Sequence, residues 1–176
     1  MLAQKNVELV EKDYLTTINM KRLCKEVVSE GCVLLENDGV LPLLKQKISL
    51  FGRCQIDTFD VGYGSGGAVK APYKISILDG LFSSGANLNM ELATLYQEWC
   101  KENVLEECEW GKWPLCFPEM PLTEDVIKAA SLNSDVAVLI IGRSAGEDRD
   151  ITKCDGSWYL NNEERELIKN LKLYTF

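Results

Sequence analysis

The chain predicts an α/β fold, a three-layer α/β/α sandwich built on a mainly parallel sheet. Three observations carry that expectation. Segments of helical period alternate with short apolar runs along the chain. One run, Val136-Ala137-Val138-Leu139-Ile140-Ile141-Gly142-Arg143, is continuous enough to read as a strand buried on both faces, as parallel strands are. It empties into the polar run Ser144-Ala145-Gly146-Glu147-Asp148-Arg149-Asp150. Open parallel sheets hold their ligands just outside the carboxyl ends of the strands, so this loop is the first place to look for chemistry.

The first element is an amphipathic helix over Thr16 to Glu36. Thr16 or Thr17 can cap its start, and Ile18, Leu23, Val27, Val28, Cys32 and Leu35 recur near helical spacing. Asn37-Asp38-Gly39 supplies its stop, with Gly39 suited to the left-handed position past a helix end. Lys47 to Gly52 reads as the first strand and Ile75 to Phe82 as a short helix, after which Gly85-Ala86-Asn87 turns the chain. Glu91 to Asn103 is a clearer helix with Leu92, Leu95, Tyr96 and Trp99 on one face, a stripe that belongs in a core.

From Val104 to Pro121 the period is lost, and Trp110, Trp113, Phe117 and three prolines crowd a long irregular loop. Exposed, Trp110 and Trp113 would stack on a sugar or another domain; buried, they would pin the loop. Thr123 caps the next helix, with Glu124 and Asp125 in its first turn, where carboxylates complement the helix dipole. Asn161 and Glu164 form a capping-box pattern at the start of the last helix, which runs through Leu171. Another buried strand is due where the chain stops at Phe176. The expectation is a single sandwich domain over 1–176, with 1–15 as lead-in, lacking its last strand or strands. The sheet edge so exposed invites self-association.

Composition narrows the function. With 46% hydrophobic and 26% charged residues the chain is ordinary globular material. A net charge of -8 and no dense basic patch argue against nucleic acid and anionic membrane. Seven widely spaced cysteines without a CxxC pair suggest neither a zinc site nor a disulfide framework. No histidine is present, which excludes His-ligated metal and Ser-His or Cys-His nucleophiles within the chain. No cofactor or metal is expected. Met1 to Lys12 has no apolar signal core and no run reaches membrane-spanning length, so a cytoplasmic protein is expected.

The densest glycine cluster is Asp60-Val61-Gly62-Tyr63-Gly64-Ser65-Gly66-Gly67. Gly62, Gly64 and Gly67 satisfy G-x-G-x-x-G, but they lie well past the strand, and Pro72 follows in place of an uninterrupted helix. A dinucleotide site is therefore the weaker reading. Backbone approaching a sugar or another domain, which only glycine permits, is the better one.

Several stretches together resemble glycoside hydrolase family 3. Glu30-Gly31-Cys32-Val33-Leu34-Leu35-Glu36-Asn37-Asp38-Gly39-Val40-Leu41-Pro42-Leu43 is similar to the family's "ES-x-VLLKNDG-x-LPL", and Gly64-Ser65-Gly66 with Val69 to its GSGS-x-V. The segment from Ile141 to Asp150 resembles "GR-x-SGEG-x-DR". Gly156-Ser157-Trp158-Tyr159-Leu160 with Leu167-Ile168 resembles the "G-x-Y-L…LI" that follows in the anaerobic-bacterial β-glucosidase branch. The resemblance runs from about Arg22 to Leu171 with its motifs in order. It implies the α/β sandwich that in these enzymes accompanies a (β/α)8 barrel, here from the branch in which the sandwich precedes the barrel.

The barrel binds substrate, a β-linked glucoside or xyloside, and supplies an aspartate nucleophile; the sandwich lends a loop bearing the general acid/base. By position that residue is Glu147. Retaining glycosidases need two carboxyl groups about 5–5.5 Å apart, one to attack and one to protonate the leaving oxygen. Arg143, Arg149, Gly64, Ser65, Trp110 and Trp113 are the implied substrate contacts. Two departures stand out. Glu36 replaces the usual Lys, and Asp148 replaces the glycine after the acid, which makes it either a modulator of Glu147 or a rival for its role. With no nucleophile motif in the chain, the expected function is the acid/base half of a β-glucosidase, inactive alone. The alternative is a non-catalytic sugar-binding or docking module on the same fold.

Overall fold

A computed structural model describes residues 17–59, 73–106, 112–147 and 150–176. They fall in two compact units, the first ending at Leu43 and the second beginning at Leu44. In the first unit the helix α1 spans Thr17–Gly31 and stops at its glycine, short of the expected Glu36. Gly39 therefore does not cap it. With φ of 103° it sits in a turn organised by Asn37, whose Oδ1 accepts from the backbone N–H of both Gly39 and Leu41, each at 3.1 Å.

The second unit holds the sheet. Strands β1 (Ile48–Phe51) and β2 (Val136–Leu139) are parallel, in the register Ile48 to Val136 through Phe51 to Leu139. On its other side β1 bridges Leu88, also in parallel, through Ile48 N–H to Asn87 O and Asn89 N–H to Ile48 O, both 2.8 Å. Between the strands come a 3-10 turn at Arg53–Gln55, α2 (Ile77–Ser83) and α3 (Met90–Glu102). α4 (Glu124–Leu132) precedes β2, and α5 (Asn162–Leu171) closes the order. Each helix from α2 on begins where a side chain can accept a first-turn N–H: Ser76 from Asp79, Asn89 from Leu92, Thr123 from Val126 and Asn161 from Glu164. The capping box expected at Asn161 and Glu164 is present in both directions.

The main hydrophobic cluster lies on the Phe51 face of the sheet. Phe51 packs with Leu92 and Tyr96 of α3, Met120, Ala130 of α4 and Leu167 of α5, with Ala137 and Leu139 at its margin. Phe51 and Tyr96 are fully buried. A phenylalanine buried to that degree contributes about 1.5–3 kcal/mol by leaving water. β2 departs from the expected strand buried on both faces, because all four of its residues are only half-buried. The core reaches it from the Ala137 and Leu139 side, and among the described residues β1 is its only strand partner.

Candidate functional site

Because β1 and β2 run in parallel, the segments after Phe51 and after Leu139 leave the sheet at the same edge. Glycines make that crossing possible. Gly52 has φ of 92°, and a Cβ there would lie 2.1 Å from the Ile140 carbonyl oxygen. A Cβ on Gly142 would lie 2.3 Å from the Cys54 sulfur and 2.9 Å from the Phe59 ring. The Gly52 N–H donates to the buried Tyr96 hydroxyl at 3.1 Å, which ties this crossing to the core. Phe59 stacks on Phe117 with ring centroids 4.1 Å apart.

After β2 the chain enters a loop whose neck is held by one side chain. Arg143 Nε donates to Ser157 O at 2.7 Å, and Nη2 to Tyr159 O at 3.3 Å. Nη1 donates to Gly142 O at 2.7 Å and to Glu164 Oε1 at 2.5 Å, while Nη2 also donates to Glu164 Oε2 at 2.7 Å. All five N–H bonds of the guanidinium are thereby used. Both stems of the loop, at 142–143 and 157–159, meet on this group. Glu164 is 2% exposed, and its hydrogen bonds push the Arg143 pKa further up. Glu164 Oε2 also accepts the Asn161 N–H at 2.8 Å, so the same carboxylate caps α5 and neutralises Arg143. Removing one partner of so buried a pair costs about 3–5 kcal/mol, since it strands the other charge.

Ser144 adds a second pin. Its N–H donates to Leu115 O at 2.9 Å and its hydroxyl to Pro114 O, fastening the neck to the irregular segment before α4. In that segment Trp113 is 3% exposed and Phe117 is also buried. Glu147 follows at the turn after Gly146 and is exposed.

Of the residues the sequence nominated, Arg143 commits all five of its N–H donors within this domain, to the loop neck and to Glu164. Trp113 is buried, which is the alternative in which it pins its loop from inside. Asp148, Arg149, Gly64, Ser65 and Trp110 lie outside the described residues. Among the described residues no cluster of acidic, Cys or His side chains is placed to hold a metal, and no helix is long and apolar enough to cross a membrane.

Sequence reasoning passed over a buried carboxyl. Glu119 Oε2 accepts the Arg53 N–H at 2.8 Å, and Glu119 N–H donates to Glu163 Oε2 at 2.8 Å. Burial, reinforced by Glu164 and Glu163, pushes its pKa up to about 7, against the opposing pull of the Arg53 N–H and guanidinium. Arg53 itself is 2% exposed, donates to Asp57 Oδ2 at 2.7 Å and to Asn103 O, and lies 4.9 Å from the centre of the Trp99 ring. No local pattern distinguishes Glu119 from the surface glutamates near it. A groove of about 430 Å³ runs beside it, lined in part by Met120, Leu122, Glu163 and Leu167. Glu147 is not part of its lining.

A parallel sheet with helices packed on it and glycine crossings at its carboxyl edge define an open α/β sandwich. The chain belongs to glycosyl hydrolase family 3 through its C-terminal domain, which residues 32–173 match. It is 41% identical over 149 residues to a β-glucosidase of Ruminococcus albus, covering 84% of this chain and 16% of that protein. It is 31% identical to β-glucosidase A of Butyrivibrio fibrisolvens, covering 95% of this chain and 23% of that one. Among solved structures, a β-glucosidase from Paenibacillus barengoltzii superposes with a TM-score of 0.79 at 39% identity, covering 84% of this chain and 16% of its own. β-Glucosidase 3B from Thermotoga neapolitana, in complex with α-D-glucose, gives 0.74 at 36% identity, covering 87% and 22%. The chain thus spans less than a quarter of the length of these relatives.

Proposed function

We propose that this domain supplies the general acid/base of a retaining β-glucosidase, that Glu147 is that residue, and that a companion (β/α)8 barrel supplies the aspartate nucleophile and most of the sugar pocket. The observation that carries the reading is the position of Glu147: exposed, on a loop with a fixed neck, beyond the carboxyl edge of two parallel strands. In the first step the barrel aspartate attacks the anomeric carbon while Glu147 gives its proton to the departing glycosidic oxygen. In the second step Glu147, now a carboxylate, takes a proton from the water that cleaves the glycosyl ester. A carboxylic acid that must be protonated for one step and ionised for the next works best with a pKa near the working pH. Burial of Glu147 against the barrel would raise its pKa in that direction. On this reading the chain alone is inactive, because no attacking carboxylate is in place.

The test is leaving-group dependence. In the protein that unites this domain with its barrel, Glu147→Ala is expected to lower kcat/KM on an alkyl β-glucoside by about 10²–10⁴-fold, the range of general acid catalysis. On dinitrophenyl β-glucoside, whose leaving group needs no proton, the loss is expected to be small. Equal losses on the two substrates would remove the acid from Glu147, and the same pair of assays on Asp148→Asn would show whether its neighbour holds the role.

A further inference from the structure

We infer that Arg143 and Glu164 are positioning residues for Glu147: their ion pair closes the neck of the acid-bearing loop and sets where the acid stands. The inference rests on the reading of Glu147 given above. The chain on either side of the acid-bearing loop, at 142–143 and at 157–159, converges on one guanidinium through the Gly142, Ser157 and Tyr159 carbonyls. That guanidinium is oriented by a bidentate carboxylate from α5, and Glu164 is oriented in turn by the Asn161 N–H and by its own place as third residue of the helix. A planar, five-donor group with every donor committed can rotate or shift only by breaking several bonds at once. Lysine keeps the charge but offers a flexible stem and no fork, so it cannot hold two stems and a carboxylate in register. Glutamine at 164 keeps the size and one acceptor oxygen but loses the charge and half of the fork.

Near the chemistry, a misplacement of about 1 Å costs about 10²-fold. Arg143→Lys is therefore expected to lower kcat/KM on an alkyl β-glucoside by about 10²-fold while leaving dinitrophenyl β-glucoside within a few-fold. Glu164→Gln is expected to act in the same direction with a smaller loss. Sodium azide supplies the signature that general loosening of the fold lacks. Azide attacks the anomeric carbon of the glycosyl ester and displaces the aspartate carboxylate without giving up a proton. It therefore replaces the step in which a misplaced Glu147 fails to deprotonate water. Both variants are expected to regain kcat on the dinitrophenyl substrate with azide and to release β-glucosyl azide, as Glu147→Ala does.

A readout on the 176-residue chain itself accompanies the assays: amide hydrogen exchange of 150–157 should quicken in both variants while α3 and α4 keep wild-type protection. If Glu147→Ala discriminates between the substrates and responds to azide but Arg143→Lys and Glu164→Gln do neither, the positioning role is overturned while the acid assignment stands. If Glu147→Ala itself fails to discriminate, the acid assignment falls and the positioning role falls with it. Unchanged exchange of 150–157 in both variants also overturns the clamp.

Discussion

The Cys54 sulfur occupies the space that a side chain on residue 142 would need, 2.3 Å from where its Cβ would be. The two residues stand at the exits of the two paired strands, so this contact, with Gly52 against the Ile140 carbonyl, limits how closely the β1 and β2 exits cross. The stability, titration and thiol chemistry of this unit turn on what surrounds that crossing.

Gly142→Ala should destabilise the second unit by about 1–3 kcal/mol, the cost of overpacking a filled site. Cys54→Ala in the same chain should recover part of that loss, though not all, because the Phe59 ring is the second obstacle. Gly52→Ala should be worse. Its obstacle is the Ile140 carbonyl, which cannot rotate away, and φ of 92° adds strain of about 1–3 kcal/mol. Urea midpoints of the four proteins test the ordering, and a Gly52→Ala chain as stable as wild type would contradict the crossing.

Glu119 makes stability depend on pH. Its folded pKa is raised from 4.5 to about 7, so the folded state binds more protons than the unfolded one between those values. Its stabilising contribution is complete below pH 4.5 and is lost as pH rises through about 7. Each tenfold change in proton affinity is worth about 1.4 kcal/mol, which makes the loss on the order of 3 kcal/mol. Glu119→Gln keeps an oxygen to accept the Arg53 N–H and carries no charge. It should flatten the fall and be more stable than wild type at pH 8, as chemical denaturation at pH 5, 6, 7 and 8 would reveal.

The thiols should divide by burial. Burial, the largest cause, pushes Cys54 up to about 12 and Cys100 to about 11, so at pH 8 neither carries appreciable thiolate. Iodoacetamide on the native protein should modify exposed Cys154 while sparing both, and should reach all of them in urea. Peptide mass spectrometry gives the order, and rapid native labelling of Cys54 would mean that the crossing opens.

Asn161→Ala removes the cap that accepts the Glu164 N–H at 2.8 Å. The expected loss is about 1 kcal/mol, a usual value for such a cap. The clamp should loosen with it, because the capping box holds the carboxylate that holds Arg143. Thermal melting measures the first effect, and exchange of 150–157 measures the second.

Helices were legible wherever the deciding interactions are local. Thr123, and Asn161 with Glu164, announce helix starts because a cap and the N–H it accepts lie within three residues. The apolar stripe of Leu92, Tyr96 and Trp99 marks the core face of α3 because period 3.6 is written along the chain. Gly39 shows the limit of such reading. A glycine suited to a helix end follows a helix that had already stopped at Gly31, and its turn is held instead by the Asn37 side chain.

By itself the sequence determined the order of strands and helices, the helix caps at Thr123 and Asn161, and the family motifs that single out Glu147. Only the tertiary structure decided that Arg143 commits its donors to Glu164 and the loop neck, that Trp113 is buried and that burial pushes the Glu119 pKa up to about 7. Arg143 meets Glu164 across 21 residues, and Glu119 meets Arg53 across 66. Desolvation and ion pairing depend on distances through space, and those exist only once the parallel strands have brought their exits to one edge of the sheet.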